Sequence, residues 1–176
     1  TTVGRLIARL YEPESGSIYI GDVDINQIDP AEIRENIGYV SQEPWLFAGT
    51  LEQNITLGSI NVSQEDFLWA CETSGVSEFA DKHPDGYKLT VRERGEGLSG
   101  GQRQFLAVAM ALAINPKVIL MDEPSAGLSP KAAEEVLEYT RGLTEQGVTI
   151  LLVEQNVKQA LRMADHCFIL ADGRNQ

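Results

Sequence analysis

Cysteine is nearly absent from these 176 residues: Cys71 and Cys167 stand far apart with no Cys-x-x-Cys spacing. That excludes a disulfide framework and a zinc ribbon, and two reduced thiols of a cytosolic protein are the expectation. Histidine is as scarce, and neither His83 nor His166 neighbours a motif, so no catalytic role is expected of them. Basic charge is short too: 14 Lys and Arg against 26 Asp and Glu leave a net charge of −12. A nucleic-acid surface needs a basic stripe, so no nucleic-acid partner is expected. Docking on anionic lipid through charge alone is excluded on the same ground. No apolar run approaches the roughly 20 residues of a membrane-spanning helix. Internal repeats and low-complexity segments are missing as well. What remains, 43% hydrophobic and 23% charged residues, is ordinary globular composition. The length suffices for one well-buried domain with a small inserted lobe.

Two stretches organise the rest. Leu98-Ser99-Gly100-Gly101-Gln102 is a small-residue loop that opens into a helix running through Ala113. Its two glycines let backbone amides approach a ligand closely and Ser99 adds a hydroxyl. Amides at a helix N-terminus, with its partial positive charge, suit a phosphate. Val118-Ile119-Leu120-Met121-Asp122-Glu123 is an apolar run of buried parallel-strand type that ends in two carboxylates. One acid there can hold Mg²⁺ through water while its neighbour polarises an attacking water.

Around these, the chain alternates helix and strand. Apolar residues at 3, 6, 7 and 10 predict a helix that Glu12-Pro13-Glu14-Ser15-Gly16 stops. A short strand over 17–20 and a turn at Gly21-Asp22 follow. Asp29-Pro30 reads as N-cap and first residue of a short helix ending near Glu35. Ile37-Gly38-Tyr39-Val40 is a strand leading into Ser41-Gln42-Glu43-Pro44-Trp45-Leu46-Phe47. Residues 50–91 read as a helical lobe whose apolar stripe is Phe67, Leu68, Ala70 and Cys71. Lys131 to Gln146 is an amphipathic helix with Ala132, Val136, Leu137 and Leu143 towards the sheet. Val148–Val153 has the pattern of a fully buried strand, and Phe168-Ile169-Leu170 of a last one. Strands alternating with helices imply an α/β fold, a mostly parallel sheet covered on both faces.

The loop at Leu98–Gln102 and the strand ending Asp122-Glu123, in that order, resemble the signature loop and Walker B strand of the ATP-binding cassette family. The resemblance spans nearly the whole chain and implies a fold of the P-loop NTPase type. Its ATP-binding α/β core would be residues 1–49 and 92–176, N-terminally incomplete, with 50–91 the inserted signature lobe. It implies ATP and Mg²⁺ as ligands. Thr1 would place a hydroxyl beside Mg²⁺ and Thr2 would contact phosphate. Asp122 and Gln42, the latter in a segment similar to the family's Q-loop, would be the further Mg²⁺ partners. Glu123 would be the general base, with Gln42 and Gln155 positioning water and γ-phosphate. Ser99, Gly100, Gly101 and Gln102 would bind the ATP held by a second cassette in a head-to-tail homo- or heterodimer.

The other implied partners are integral membrane transporter subunits, which would place the chain at the cytoplasmic face of the membrane. Residues 47–55 and 90–97 resemble exporters, whereas Pro124–Leu128 and Val153–Asn156 resemble branched-chain amino acid importers. Three positions depart from the family pattern. No GxxGxGK[ST] loop precedes Thr1, Ser129 stands where most members have aspartate, and Gln155 where most have histidine. The first departure suggests a cassette cut at both ends. The alternatives are a degenerate cassette that only lends its signature loop to a partner, and a soluble cassette ATPase without a membrane subunit.

Overall fold

The computed structural model describes residues 1–58 and 61–176. Ser59 and Ile60, within the expected helical lobe, lie outside the described residues. Apolar spacing winds α1 over Thr2–Ile7, and a left-handed Arg9 (φ 51°) ends it short of Leu10. Strands β1 (Tyr19–Ile20) and β2 (Val23–Asp24) then pair antiparallel. The strand expected over 17–20 is therefore half of a small exposed hairpin, turned at Gly21 with φ 60°. Helix α2 (Pro30–Asn36) starts where the sequence says. The Asp29 carboxylate accepts the Ala31 N–H at 2.8 Å, and Pro30 fills a position that needs no donor.

Strand β3 (Ile37–Val40) follows. Strands β4 (Gly49–Thr50) and β5 (Thr90–Val91) pair antiparallel and close the segment between them into a loop of helices. These are α3 (Leu51–Thr56), α4 (Gln64–Ser74) and α5 (Val76–Ala80). Thr50 and Gln53 form a reciprocal capping box at the start of α3. Helix α4 buries Phe67, Ala70, Cys71 and Ser74, the spacing of one helical face. Leu68, expected on that stripe, points outward at 39% exposure, because it falls a quarter-turn off the face. Gly75 ends α4 at φ 84°, and the Tyr139 ring lies 2.8 Å from where a Cβ would stand. Glycine is required there for both backbone and space.

The second half supplies α6 (Gly100–Leu112), β6 (Val118–Asp122), α7 (Pro130–Glu145), β7 (Thr149–Val153) and α8 (Val157–Met163). Strand β6 is central in a parallel sheet ordered β3-β6-β7. Alternate side chains take opposite faces of that sheet. Gly38 of β3 meets Ala111 of α6, whereas its neighbour Tyr39 packs beside Gly4 of α1. Helices α6 and α1 therefore cover opposite faces. On the α6 face, Ile119, Met121, Leu106 and Leu112 are almost fully buried, each contributing roughly 1.5–3 kcal/mol of transfer free energy. The same apolar cluster runs on into Phe67, Ala70, Cys71 and Val76.

Three further expectations are corrected. Strand β7 is half-buried rather than fully buried, because among the described residues only β6 flanks it. Phe168–Leu170 form no further strand of the parallel sheet. Instead β8 (Leu170–Ala171) and β9 (Arg174–Asn175) make a hairpin turned at Asp172-Gly173, and Phe168 is 74% exposed. On α7 the buried residues are Ala133, Val136, Leu137, Thr140 and Leu143. Ala132 is half-buried and faces Gly101, where an added Cβ would stand 3.3 Å from the Ala132 methyl.

Candidate functional site

Parallel strands deliver their carboxyl ends to one side, so register decides what meets there. Val40 lies opposite Met121, and Asp122 opposite Val153. The residues that follow each strand, Ser41-Gln42, Glu123 and Glu154-Gln155, therefore leave the sheet together. Asp122 sits on the α1 face and is 3% exposed. The Thr1 hydroxyl donates to its Oδ1 at 3.0 Å. The Tyr39 hydroxyl donates to Oδ2 at 3.2 Å. Burial, with the nearby Asp122 charge, pushes the Tyr39 phenol up, so it stays a donor.

Glu123 adopts φ 51°, a left-handed conformation rare for a side-chain-bearing residue. Its N–H donates to the Val153 carbonyl at 2.8 Å, extending the β6–β7 ladder past the end of β6. The half-buried Glu123 carboxylate accepts the Gln155 side-chain amide at 2.8 Å. Gln42 is exposed and makes no side-chain hydrogen bond among the described residues, and the same holds for Thr2. Asp122, Glu123, Thr1 and Gln155 are thus joined by direct contacts or neighbouring strands, and Gln42 shares only their end of the sheet.

Ser99–Gln102 forms a separate constellation. Ser99 caps α6: its hydroxyl accepts the Gln102 N–H at 3.2 Å and the Gln102 side chain accepts the Ser99 N–H at 2.9 Å. The Arg103 N–H goes to the Ser99 carbonyl at 3.0 Å. The amides of Gly100 and Gly101 remain without a partner among the described residues, the arrangement of a helix-end anion site. A Cβ on Gly100 would stand 2.9 Å from Leu128, and on Gly101 3.3 Å from Ala132. Both glycines therefore also let α6 approach the 124–129 loop and α7. No hydrogen bond joins Ser99–Gln102 to Asp122, Glu123 or Gln155.

Tyr39 and Glu154 were not legible as site residues. Tyr39 could have been found from strand alternation, since its face is that of Asp122 once β3 and β6 are paired in register. Nothing local marks Glu154. The stretch after Gln42 is tied down by Asn54, whose buried amide accepts the Phe47 N–H at 2.8 Å and donates to the carbonyls of Phe47 (2.9 Å) and Thr50 (3.0 Å). Arg94 lies over the Trp45 ring at 5.6 Å, bringing residues 92–95 against 45–46. Trp45, Phe47 and Leu57 are 61%, 49% and 60% exposed. A cleft of about 580 Å³ opens beside Phe47, Gln53 and Leu57.

Among the described residues no group of three or more His, Cys, Asp or Glu gathers as a metal cage. Mg²⁺ ordinarily takes one or two carboxylates, substrate phosphates and water. One buried carboxylate already bonded to a hydroxyl, with a neutral amide at the same sheet end, is a hard-oxygen donor set that fits it.

The family model for ABC transporters matches residues 1–126. The chain belongs to the ABC transporter family. A mitochondrial potassium channel ATP-binding subunit of Mus musculus is 37% identical over 175 residues, 99% of this chain and 24% of that protein. ABC transporter B family member 1 of Dictyostelium discoideum is 42% identical over 157 residues, 89% of this chain and 16% of that protein. Among solved structures, a bacterial Atm1-family ABC exporter with ATP bound superposes with a TM-score of 0.87 at 29% identity, covering 99% of this chain and 30% of that one. The chain thus spans less than a third of each of these relatives. It has the mixed α/β fold expected of an ABC nucleotide-binding domain, is similar to such domains of an exporter, and its family implies ATP as ligand. No helix among the described residues is long and apolar enough to cross a membrane.

Proposed function

We propose that this ABC domain binds Mg²⁺-ATP at the carboxyl ends of β3, β6 and β7 and hydrolyses it to drive transport. The observation that carries the reading is the contact of Gln155 with Glu123 at 2.8 Å beside the Thr1–Asp122 pair at 3.0 Å. Asp122, the Thr1 hydroxyl and Gln42 would hold Mg²⁺, which when bound neutralises phosphate charge. Thr2, exposed at the start of α1, would meet phosphate. Glu123 takes a proton from the attacking water, and its half-buried carboxylate is held in one orientation by Gln155. Gln155 is a neutral donor at any working pH, so it can pass between Glu123 and a γ-phosphate without changing charge.

The Ser99 cap carries a second anion site that the first does not touch. One nucleotide meets both when two domains pair head to tail, each lending the free Gly100 and Gly101 amides to the other's ATP. In this reading residues 50–91 are a lobe inserted into a core of 1–49 and 92–176. The cleft beside Phe47 and the exposed Trp45 receive membrane subunits, so the domain works at the cytoplasmic face of a membrane.

The test is Glu123→Gln, which keeps shape and an acceptor for Gln155 but removes the base. ATP turnover is expected to fall by about 10²–10⁴-fold with ATP affinity unchanged within threefold. Turnover within a few-fold of the parent would remove Glu123 from the role of base.

A further inference from the structure

Resting on the reading of Glu123 as base, we infer that Glu154 is a positioning residue that staples the loop after β6 to the end of β7 and so fixes the attitude of Glu123. The loop needs a restraint. Glu123 stands at φ 51°, and non-glycine residues stay left-handed only where their surroundings over-determine them. Backward along the chain, its N–H is fixed on the Val153 carbonyl at 2.8 Å. Forward along the chain, Pro124 has no N–H to offer, so Ser125 supplies the first amide that can be gripped. That amide donates to Glu154 Oε1 at 3.0 Å, across 29 residues of sequence. The other oxygen, Oε2, receives the Asn156 N–H at 3.5 Å. Adjacent residues of one strand end thus hold different parts of the loop. Gln155 holds the carboxylate of Glu123 at 2.8 Å, and Glu154 holds the backbone two residues on.

With both ends anchored, the turn closes by the Ala126 N–H on the Glu123 carbonyl at 3.0 Å. The same loop runs on to Leu128 against Gly100 and to Ser129, which caps α7 through the Ala132 N–H at 3.3 Å. Glu154 therefore fixes the loop that separates the two anion-binding constellations. Both its oxygens accept backbone donors. A backbone staple needs an acceptor at a set reach, and charge is secondary. The side chain of glutamine keeps the acceptor and the reach, aspartate keeps the charge but falls one methylene short, and alanine loses both.

The experiment compares Glu154→Gln, Glu154→Asp and Glu154→Ala. In the chain as it stands, amide hydrogen exchange at Ser125 is expected to quicken at least tenfold in the Ala and Asp variants and to stay within threefold in the Gln variant. ATP hydrolysis by the transporter that carries the domain is expected to lose at least tenfold in kcat for Ala and Asp, with KM for ATP within twofold, and Gln is expected to keep kcat within threefold. Equal Ser125 protection in all variants, or a Gln variant as impaired as Ala, overturns the inference. A fall in kcat matched by an equal rise in KM overturns it too. If the parent hydrolyses no ATP, the proposed function fails while the exchange pattern still decides whether Glu154 is the staple.

Discussion

Gly38→Ala tests how tightly the sheet that presents the site is clamped to α6. Gly38 is buried in β3, and a Cβ there would stand 2.9 Å from the Ala111 carbonyl oxygen and 3.2 Å from its Cβ. The nearer atom is helix backbone and cannot swing aside, so β3 or α6 must move. Overpacking of this kind costs about 1–3 kcal/mol. Against it, replacing glycine in a strand recovers roughly 0.5–1 kcal/mol of chain entropy. The net loss is about 1–2 kcal/mol, and at this chain length about 2–4 °C accompanies each kcal/mol. Thermal and urea unfolding of the chain should therefore show Tm lower by roughly 2–8 °C with an unchanged m-value. Adding Ala111→Gly removes the contact at 3.2 Å but leaves the carbonyl at 2.9 Å. Because a glycine within α6 itself costs about 1 kcal/mol, the double is read against Ala111→Gly alone, and Gly38→Ala should still cost more than half as much there. An unaltered Tm in the Gly38→Ala variant, or a double variant as stable as Ala111→Gly alone, would refute the reasoning, because the helix carbonyl would then not be the obstacle.

Cys71 is fully buried and its thiol is pushed from 9.0 up to about 12, by burial first and then by the charge of Glu72. The folded thiol keeps its proton where the unfolded one releases it, so the unfolded chain carries fewer protons between those values and stability falls as pH rises. The slope is up to about 1.4 kcal/mol per pH unit, read by urea unfolding from pH 8 to 11, and Cys71→Ala should flatten it. In maleimide titration at pH 7.5 the folded chain should label at Cys167 alone, and in denaturant at both thiols. Asn54→Ala strips three backbone partners from a residue 1% exposed. It should destabilise by about 2–4 kcal/mol and speed amide exchange at Phe47. Stability within 0.5 kcal/mol of the parent would show that Asn54 does not hold that loop.

Much of this domain was written locally. Asp29-Pro30 announces one helix start and the loop Leu98–Gln102 another, because a cap is decided within four residues. The run Val118–Met121 ends in two acids, and such a strand belongs in the middle of a parallel sheet, where β6 lies. The ATP-binding family was legible in these same motifs. What the sequence could not decide were contacts between distant segments. Val148–Val153 reads as a fully buried strand, yet only its neighbours determine burial, and among the described residues β7 has one. Phe168–Leu170 has a strand's composition, but the turn at Asp172-Gly173 folds it onto β9. Tyr39 reaches Asp122 across 83 residues, and Glu154 reaches Ser125 across 29. Propensity and capping act over one or two helical turns, so the chain itself determines its elements and its motifs. Register and packing alone determine that one tyrosine faces the buried aspartate and that one glutamate holds the loop beyond the proposed base.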